Sequence, residues 1–276
     1  MIKSNMPILF FDTETTGILK DSENKVVSNG SMIQIAYRKL DNWVKSDENL
    51  FFMTDTKIEV GSMAVHWIYP KLLKEKSKWE YLNDKTRSIL EKEFTNNILV
   101  AHNMDFDKDV LRNENVKYGE NLIDTLKVAK TMWSEWVLFD SEWNAPEYVN
   151  LQYLRYFFEL YEIKDENGEN ECTTAHDAFG DVVVLEKVFY NLFKRIKEKL
   201  NISNDEVLRT MQEITEKEFT LIEIMRIWKY RGKTFEEVAS MDRGYLEWII
   251  KADFTPDIKY TCDVWLGNVE DKKFFS

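Results

Sequence analysis

The chain has 276 residues, of which 44% are hydrophobic and 14% aromatic, so it can bury the core of one medium domain and a small second one. Its net charge of −12 and pI near 4.9 argue against a protein that coats long duplexes, because that affinity comes mainly from lysine and arginine. The acidic total does not exclude a compact site that holds phosphate through divalent cations.

Neither a zinc motif nor a targeting segment is visible in the sequence. Cys172 and Cys262 lie far apart, without Cys or His partners at zinc-ligand spacing, which also argues against a disulfide framework. The first residues contain no sustained apolar segment, and no stretch approaches the ~20 apolar residues that span a bilayer. We therefore expect a cytoplasmic chain without membrane contact.

The first part of the chain alternates predicted strands with predicted helices. The apolar run 8–11 is rich in strand formers and leads directly into a polar segment. Strands are predicted at 8–11, 31–38, 50–54 and 98–101, and helices at 84–96 and 106–115. This alternation favours an α/β sheet.

The later sequence is mostly helical in pattern. Asp124 is a good N-cap for a helix through about 133, and a cap is a commoner role for such a residue than catalysis. Further helices are predicted at 150–160, at 178–200 with one apolar side, after the capping-box pair Thr234 and Glu237, from Asp242 to about 251, and from Pro256.

A composition shift near residues 200–204 predicts the domain boundary. We expect one domain at 1–200 and a small, mostly helical module at 201–276.

Two acids end the first predicted strand. Asp12 and Glu14 are two residues apart, so the pleat directs both side chains to one face. Two such charges repel each other, and a divalent cation relieves the repulsion. Taken alone, this pair is a weak signal, since a solvated surface pair is commoner.

A second acidic group follows the predicted strand 98–101. Asp105, Asp107 and Asp109 superficially suggest an EF-hand loop. The sixth position of such a loop requires glycine and the twelfth glutamate, but these positions hold Val110 and Val116. An EF-hand is therefore excluded, and not all three acids are expected to be ligands.

A histidine precedes an acid at the start of the long predicted helix. His176 lies five residues before Asp181, at a junction between loop and helix. A lone histidine is usually structural, but an imidazole is the side chain best suited to deprotonating water near neutral pH.

The three groups together match a known pattern. Phe11 to Gly17 (F-D-T-E-T-T-G), His102 to Asp107 (H-N-M-D-F-D) and His176-x4-Asp181, in this order, resemble the three motifs of DEDDh (DnaQ-like) 3′→5′ exonucleases. The resemblance covers about the first 200 residues and is closest to exodeoxyribonuclease X-like members. It implies a ribonuclease H-like mixed β-sheet flanked by helices, within the α/β class.

The resemblance also implies the roles of the site residues. Asp12, Glu14, Asp107 and Asp181 would be catalytic metal ligands for two Mg²⁺ or Mn²⁺ ions, and His176 would be the general base. Asp105, Asp109 and Asp177 would be neighbours without a ligand role.

Substrate contacts are expected around the same motifs. His66 and Trp67 belong to a segment similar to one near the terminal nucleotide in relatives, although they are equally expected as core residues. Thr15 and Gly17 would meet the terminal sugar, since glycine lets the backbone approach a ligand. The full predicted set is Thr13, Thr15, Gly17, His66, Trp67, Asn103 and Phe106.

The C-terminal module has its own signal at 228–233. Aromatic and basic residues alternate there, which on an extended backbone is typical of single-strand binding. The alternative is a hairpin that turns at Gly232 with its aromatic residues buried. The surrounding sequence resembles a module appended to some exonuclease X-like proteins, and we expect it to contact nucleic acid or a protein partner.

These patterns lead to one main functional prediction and two alternatives. The main one is a metal-dependent 3′→5′ exonuclease that releases nucleoside 5′-monophosphates from single-stranded DNA, in repair or replication. Its expected partners are nucleic acid with a free 3′ end and a polymerase or other replication or repair protein. The alternatives are an exoribonuclease, since the motifs do not reveal the sugar, and an inactive nuclease-fold binding module.

Overall fold

The computed structural model describes residues 6–20, 26–28, 30–42, 44–135, 148–164, 168, 170–171, 175–222, 224–225, 228–271 and 273–275. Cys172 lies outside these residues. No helix among them is long and apolar enough to cross a membrane.

A five-stranded mixed sheet forms the centre of the first half of the chain. Strand β1 (Ile8–Thr15) pairs antiparallel with β4 (Met32–Asp41) and parallel with β6 (Ile98–Ala101). Outside these, β5 (Val44–Phe51) pairs antiparallel with β4, and β7 (Leu122–Asp124) pairs parallel with β6. The order β5-β4-β1-β6-β7, with flanking helices, is that of the ribonuclease H-like fold.

A separate two-stranded sheet is formed by the segment that connects β1 to β4 in the sequence. It pairs β2 (Leu19–Lys20) with β3 (Val26–Ser28) in antiparallel fashion.

Eleven α-helices are present among the described residues. They are α1 (Val60–His66), α2 (Pro70–Ser77), α3 (Asp84–Thr95), α4 (Met104–Asn113), α5 (Thr125–Ser134), α6 (Leu151–Phe157), α7 (Ala178–Leu200), α8 (Asn204–Thr215), α9 (Phe235–Met241), α10 (Arg243–Lys251) and α11 (Pro256–Leu266).

The central strand is buried on both faces at its start. Residues 8–11 of β1 are all apolar and at most 2% exposed, since other elements pack on each side of the sheet. Phe11 stacks edge-on against Phe94 of α3, and Phe10 against Phe189 of α7. This packing fixes the strand whose other end carries Asp12 and Glu14.

The chain divides into two compact units. One comprises residues 1–126 and 150–192, and the other comprises 127–149 and 193–276. The second unit has its own core, which includes Met225, Phe235, Val238, Leu246, Ile249 and Cys262. The division between the units falls within α5 and within α7. The domain boundary at residue 200 stays a prediction from sequence.

The fold prediction from sequence is confirmed, with differences in single elements. The second antiparallel strand, predicted at 50–54, occupies residues 44–51, because its polar residues pair with β4 along their whole length. Helices α1, α2 and α8 were not predicted. Helices α1 and α2 are short, and α8 begins at a cap that the apolar pattern alone does not mark.

The extended backbone considered for the segment at 228–233 is wrong. Residues 228–230 form a 3₁₀ turn, so the backbone is not extended there. Backbone N–H groups of Met225 and Gly232 bond to the carbonyls of Lys233 and Met225 respectively, and a single antiparallel bridge joins Ile224 to Thr234. The backbone of the segment is a closed turn, as in the alternative prediction, and Tyr230 is half-buried, while the predicted burial of Trp228 lies outside the described side chains.

Candidate active site

Two carboxylates lie at the end of the central strand. Asp12 and Glu14 are two residues apart on β1, so their side chains leave the same face, and both are half-buried. The pairing of β1 with β4 shifts register between Glu14 and Thr15. Such an irregularity bends a strand and redirects its side chains, and it is common beside active sites.

A third carboxylate comes from the first turn of α4. Asp107 is 2% exposed, and its Oδ1 accepts a hydrogen bond of 2.7 Å from the Thr13 hydroxyl. Burial raises the pKa of Asp107 to about 7, while the bond from Thr13 opposes this rise. The Thr13 side chain is therefore engaged with Asp107, which joins α4 to β1.

A fourth carboxylate, Asp181, lies in the first turn of α7 and is 8% exposed. Its Oδ1 accepts a hydrogen bond of 2.6 Å from Gln152 Nε2, and its Oδ2 accepts one of 3.0 Å from the backbone N–H of His176. Burial raises the pKa of Asp181 to about 6, and both donors oppose the rise.

Three of these carboxylates converge. One oxygen each of Asp12, Glu14 and Asp181 lies within 4.8 Å of the other two. Burial, followed by repulsion from Asp107 and the other acids, raises the pKa of Asp12 well above its usual value. Burial and repulsion, chiefly from Asp181, raise the pKa of Glu14 to about 9. Asp107, Asp177 and Asp181 contribute to the repulsion on both groups.

This donor set fits a hard divalent cation. A cluster of like charges in a partly buried position is costly without a positive partner, and a bound cation reverses that cost. Carboxylate oxygens suit Mg²⁺, Mn²⁺ or Ca²⁺ better than they suit zinc, which favours nitrogen and sulfur ligands. Asp12, Glu14 and Asp181 therefore form a candidate metal site, with buried Asp107 as their electrostatic neighbour.

His176 stands exposed beside the carboxylates. Its φ of 60° is in the left-handed region, which is uncommon for a residue other than glycine and is frequent at functional sites. The next residue, Asp177, accepts hydrogen bonds from the backbone N–H of Gly180 at 3.2 Å and from Gln34 Nε2 at 3.0 Å. The position of His176 is thus fixed by hydrogen bonds of two consecutive residues. Its own backbone N–H donates to Asp181, and the carboxylate of Asp177 accepts the two bonds just described.

Two amide side chains in this network were not predicted from the sequence. Gln152 binds Asp181, and fully buried Gln34 binds Asp177. The available signal for Gln152 was its place between Leu151 and Tyr153 at the start of α6, a helix whose other polar residue is Arg155. Gln34 lies in a strand directly opposite Glu14, which only the pairing of β1 with β4 reveals.

The predicted substrate contacts His66 and Trp67 differ in environment. His66 is 5% exposed, and its Nδ1 accepts a hydrogen bond from the Ile68 backbone N–H. Its Nε2 therefore carries the proton and donates to the Thr15 carbonyl at 3.1 Å. Burial lowers the pKa of His66, which favours this neutral form. Trp67, by contrast, is 56% exposed.

The remaining predicted contacts surround the ends of β1 and β6. Gly17 has φ +137°, and a Cβ there would approach Glu59 and Ser62 to 3.0 Å, so only glycine fits. The buried Thr15 hydroxyl accepts a hydrogen bond of 3.3 Å from the Gly17 N–H. Asn103 is exposed with φ 76°, and its backbone N–H donates to Asp124, whereas Phe106 packs against the core.

Asp124 acts as a cap, as its sequence context predicts. Its Oδ1 accepts a hydrogen bond of 2.9 Å from the Leu126 N–H in the first turn of α5. The same carboxylate accepts bonds from the N–H groups of Asn103 and Met104, so it also fixes the start of α4, which carries Asp107.

Comparisons with protein families and with curated proteins both find similarity to exodeoxyribonucleases. Residues 229–253 match the family model described as Exodeoxyribonuclease X-like C-terminal. The chain is 22% identical over 262 residues to Exodeoxyribonuclease 10 of Escherichia coli strain K12, which covers 93% of this chain and 97% of that protein. The same values apply to Exodeoxyribonuclease 10 of Escherichia coli O6:H1.

Solved structures of similar fold include exonuclease X in complex with 5′ overhanging duplex DNA. It has a TM-score of 0.48 and 16% identity, and the match covers 75% of this chain and 99% of that one. A full-length 3′-exonuclease has a TM-score of 0.44 and 9% identity, covering 70% of this chain and 62% of that one.

Proposed function

This chain belongs to the exonuclease X-like family of DnaQ-like 3′ exonucleases, and on that premise we propose that it is a metal-dependent 3′→5′ exonuclease. Its preferred substrate would be single-stranded DNA, from which it releases nucleoside 5′-monophosphates. The convergence of Asp12, Glu14 and Asp181 is the observation that carries this proposal. The curated relatives, named as exodeoxyribonucleases, favour DNA over RNA.

The four carboxylates would hold two Mg²⁺ or Mn²⁺ ions. Bound ions of this kind activate water and neutralise the charge that develops on a phosphodiester during hydrolysis. Asp12, Glu14 and Asp181 supply converging oxygens, and Asp107 adds a buried carboxylate held by Thr13. Gln152 positions Asp181, so that one of its oxygens keeps a fixed direction toward the other acids.

His176 would take the proton from the attacking water. The side chain is exposed, while the backbone N–H of the same residue is bonded to Asp181. This bond couples the position of the base to that of a metal-binding carboxylate. The base therefore stays next to the site without burying its own ring, so it can exchange the proton with solvent.

The terminal nucleotide would lie near the exposed groups at the end of β1. Exposed Trp67 offers a ring for stacking. The space beside buried Gly17 is occupied by Glu59 and Ser62, so a contact of Gly17 with the terminal sugar would have to come from its backbone polar groups. Buried His66 supports this region by its bond to the Thr15 carbonyl, so its contribution to substrate binding is indirect.

Cleavage assays on matched DNA and RNA oligonucleotides, with and without Mg²⁺, test the proposal. We expect release of 5′-mononucleotides from the 3′ end of single-stranded DNA, only when the divalent ion is present. Preferred cleavage of RNA would replace the substrate assignment by that of an exoribonuclease. Absence of cleavage of every oligonucleotide would favour the alternative of an inactive binding module with a nuclease fold.

Substitution of Asp107 provides a second test with a matched control. Asp107→Asn keeps the shape of the side chain but removes its charge, and we expect at least about a 100-fold loss of rate. Asp105→Asn changes an exposed carboxylate two residues away, which pairs with Lys108, and should leave the rate within about twofold. Equal rates for the two variants would remove Asp107 from the site.

A further inference from the structure

A lysine-rich helix with aromatic residues at both ends lies within the first unit. Helix α2 and the residue pair after it carry Lys71, Lys74, Lys78 and Trp79, with Tyr69 just before the helix. We call these five residues the α2 surface. Lys71 and Lys74 are three residues apart and therefore lie on one side of α2, and Lys78 follows as the left-handed residue that ends the helix.

The α2 surface is basic although the whole chain is acidic. Residues 70–79 contain four lysines and one glutamate, while the chain as a whole has 37 basic and 49 acidic residues. Lys71, Lys74 and Lys78 are exposed, and none of them forms an ion pair with another described residue. Their charges are therefore available to an external anion.

The aromatic residues of the α2 surface are also exposed. Trp79 is 65% exposed and Tyr69 is 49% exposed. Lys74 Nζ lies 4.9 Å from the centre of the Trp79 ring, so a cation covers one face of this exposed indole. Bases stack on such rings and phosphates are attracted to the adjacent lysines, the combination that proteins use to bind single strands.

The α2 surface is joined to the strand that carries the candidate metal site. Leu73, on the buried side of α2, packs with Ile33, Ile58 and Ile68. The segment before α2 is bonded to the end of β1 through His66 Nε2 and the Thr15 carbonyl at 3.1 Å. A ligand bound on α2 is thus held by an element that is fixed relative to β1.

We propose that the α2 surface binds the single-stranded part of a nucleic acid whose 3′ end is in the candidate active site. This inference rests on the exonuclease function proposed above and adds a second contact to it. The lysines would pair with backbone phosphates, and Trp79 and Tyr69 would stack on bases. A duplex is the poorer ligand, because its bases are already stacked and paired.

Binding of a labelled single strand to the full chain tests the proposal. The Asp12→Asn variant prevents cleavage, and fluorescence anisotropy with oligo-dT or oligo-rU of about 15 nucleotides reports binding. Added to this background, Trp79→Ala should raise Kd about fivefold or more, whereas Trp79→Phe should retain most of the affinity. Weaker binding of oligo-dT or oligo-rU by the Trp79→Ala variant would support the proposed binding role of the α2 surface. Equal Kd values for both Trp79 variants and the Asp12→Asn parent would contradict it.

The lysines are tested through the salt dependence of the same measurement. Lys71→Gln/Lys74→Gln should lower the slope of log Kd against log salt by about 0.7 per lost phosphate contact. The control Lys85→Gln/Lys92→Gln removes two exposed lysines from the neighbouring helix α3 and should leave the slope unchanged. If both double variants lowered the slope equally, the effect would come from the net charge of the chain and not from α2, and the proposal would be overturned.

Cleavage of a dinucleotide separates this proposal from the proposed function. In the otherwise unchanged chain, the α2 variants should keep the wild-type rate on a dinucleotide, which is too short to reach the surface, and show a raised KM on longer strands. An unchanged KM on longer strands would overturn the α2 proposal while leaving the exonuclease function standing. Failure of the wild type to cleave any substrate would count against the proposed function, and the anisotropy measurement would still decide the surface.

Discussion

Asp181 shows how uncharged neighbours shape a charged site. Its two oxygens are oriented by the amide of Gln152 and the backbone N–H of His176. Both donors oppose the rise in pKa that burial imposes, so the carboxylate ionises more readily than burial alone would allow. Hydrogen bonds from neutral groups thus help to keep the negative charge that a cation needs, together with the charge interaction with His176.

The general-base proposal for His176 predicts a change in the pH dependence of cleavage. His176→Ala should lower the rate near neutral pH by about 100- to 10,000-fold, because the positioned proton acceptor is lost. The rate should recover partly at high pH, where hydroxide becomes abundant. The measurement is the rate on single-stranded DNA across pH in saturating Mg²⁺, and a parallel pH profile for both proteins would contradict the role.

The sequence identified the charged groups of the site but not their supports. Asp12, Glu14 and Asp181 occur in patterns whose spacing indicates their position on a strand end and a helix start, and the structure brings them together. Gln34 and Gln152 have no such pattern. Their importance depends on contacts with residues 143 and 29 positions away, which the chain acquires only when it folds.

At the level of secondary structure, one arginine connects two strands and a helix. Arg38 on β4 is 4% exposed and binds Asp47 of β5, Glu186 of α7 and Glu171. Glu186 is 1% exposed and also binds Lys45 at 3.1 Å. Charges buried to this degree must be paired, because a lone charge in this position would be strongly destabilising.

Removal of Arg38 should therefore destabilise the fold. Arg38→Met leaves Glu186 and Glu171 with less positive charge, and we expect a loss of about 3–5 kcal/mol in the free energy of unfolding, measured by denaturant titration. The control is Lys39→Met on the same strand, which breaks a partly exposed pair with Glu93 and should cost less than about 1 kcal/mol. Similar losses in the free energy of unfolding of the two variants would contradict the prediction that the buried ion pairs of Arg38 stabilise the fold more than the partly exposed pair of Lys39.

Elements were predictable where local signals were strong. The strand at 98–101 is an uninterrupted apolar run, and the 23-residue helix α7 has a long periodic pattern, so both were predicted correctly. Helices α1 and α2 have seven and eight residues, too few for a clear period, and their positions depend on packing. Helix α8 starts with a capping box of Ser203 and Glu206, a local signal that its polar first turn carries without an apolar period.

For the molecule as a whole, protons, metal ions and folding are linked. Burial, with repulsion from neighbouring acids, raises the pKa of Asp181 to about 6, Asp107 to about 7 and Glu14 to about 9 in the folded chain. In the unfolded chain these groups titrate near pH 4. Between these limits the metal-free folded state binds more protons than the unfolded state, so its stability falls as pH rises.

This linkage predicts that a rise in pH lowers the Tm of the metal-free protein and increases the gain in Tm that a bound metal ion gives. Without divalent ions, Tm should be lower at pH 8 than at pH 6, measured by thermal unfolding in EDTA. Added Mg²⁺ should raise Tm more at pH 8, where the carboxylates have lost their protons.

Asp12→Asn isolates the contribution of one charge to this behaviour. In EDTA at pH 8 it should have a higher Tm than the unchanged chain, because one of the repelling carboxylates is removed. Asp105→Asn, which changes an exposed acid paired with Lys108, should show no such gain. A metal-free Tm that rises from pH 6 to pH 8 would contradict the linkage.

The two borders of the sheet also affect how the chain behaves in a crowded solution. An unpaired strand border is a template on which a second molecule can add its own strand and start aggregation. Here β7 offers only three residues, and β5 carries Lys45, Asp47 and Glu48, the two acids being exposed. A neighbouring chain that docked along β5 would have to strip water from these charges, so we expect concentrated preparations to resist assembly into fibres through this sheet.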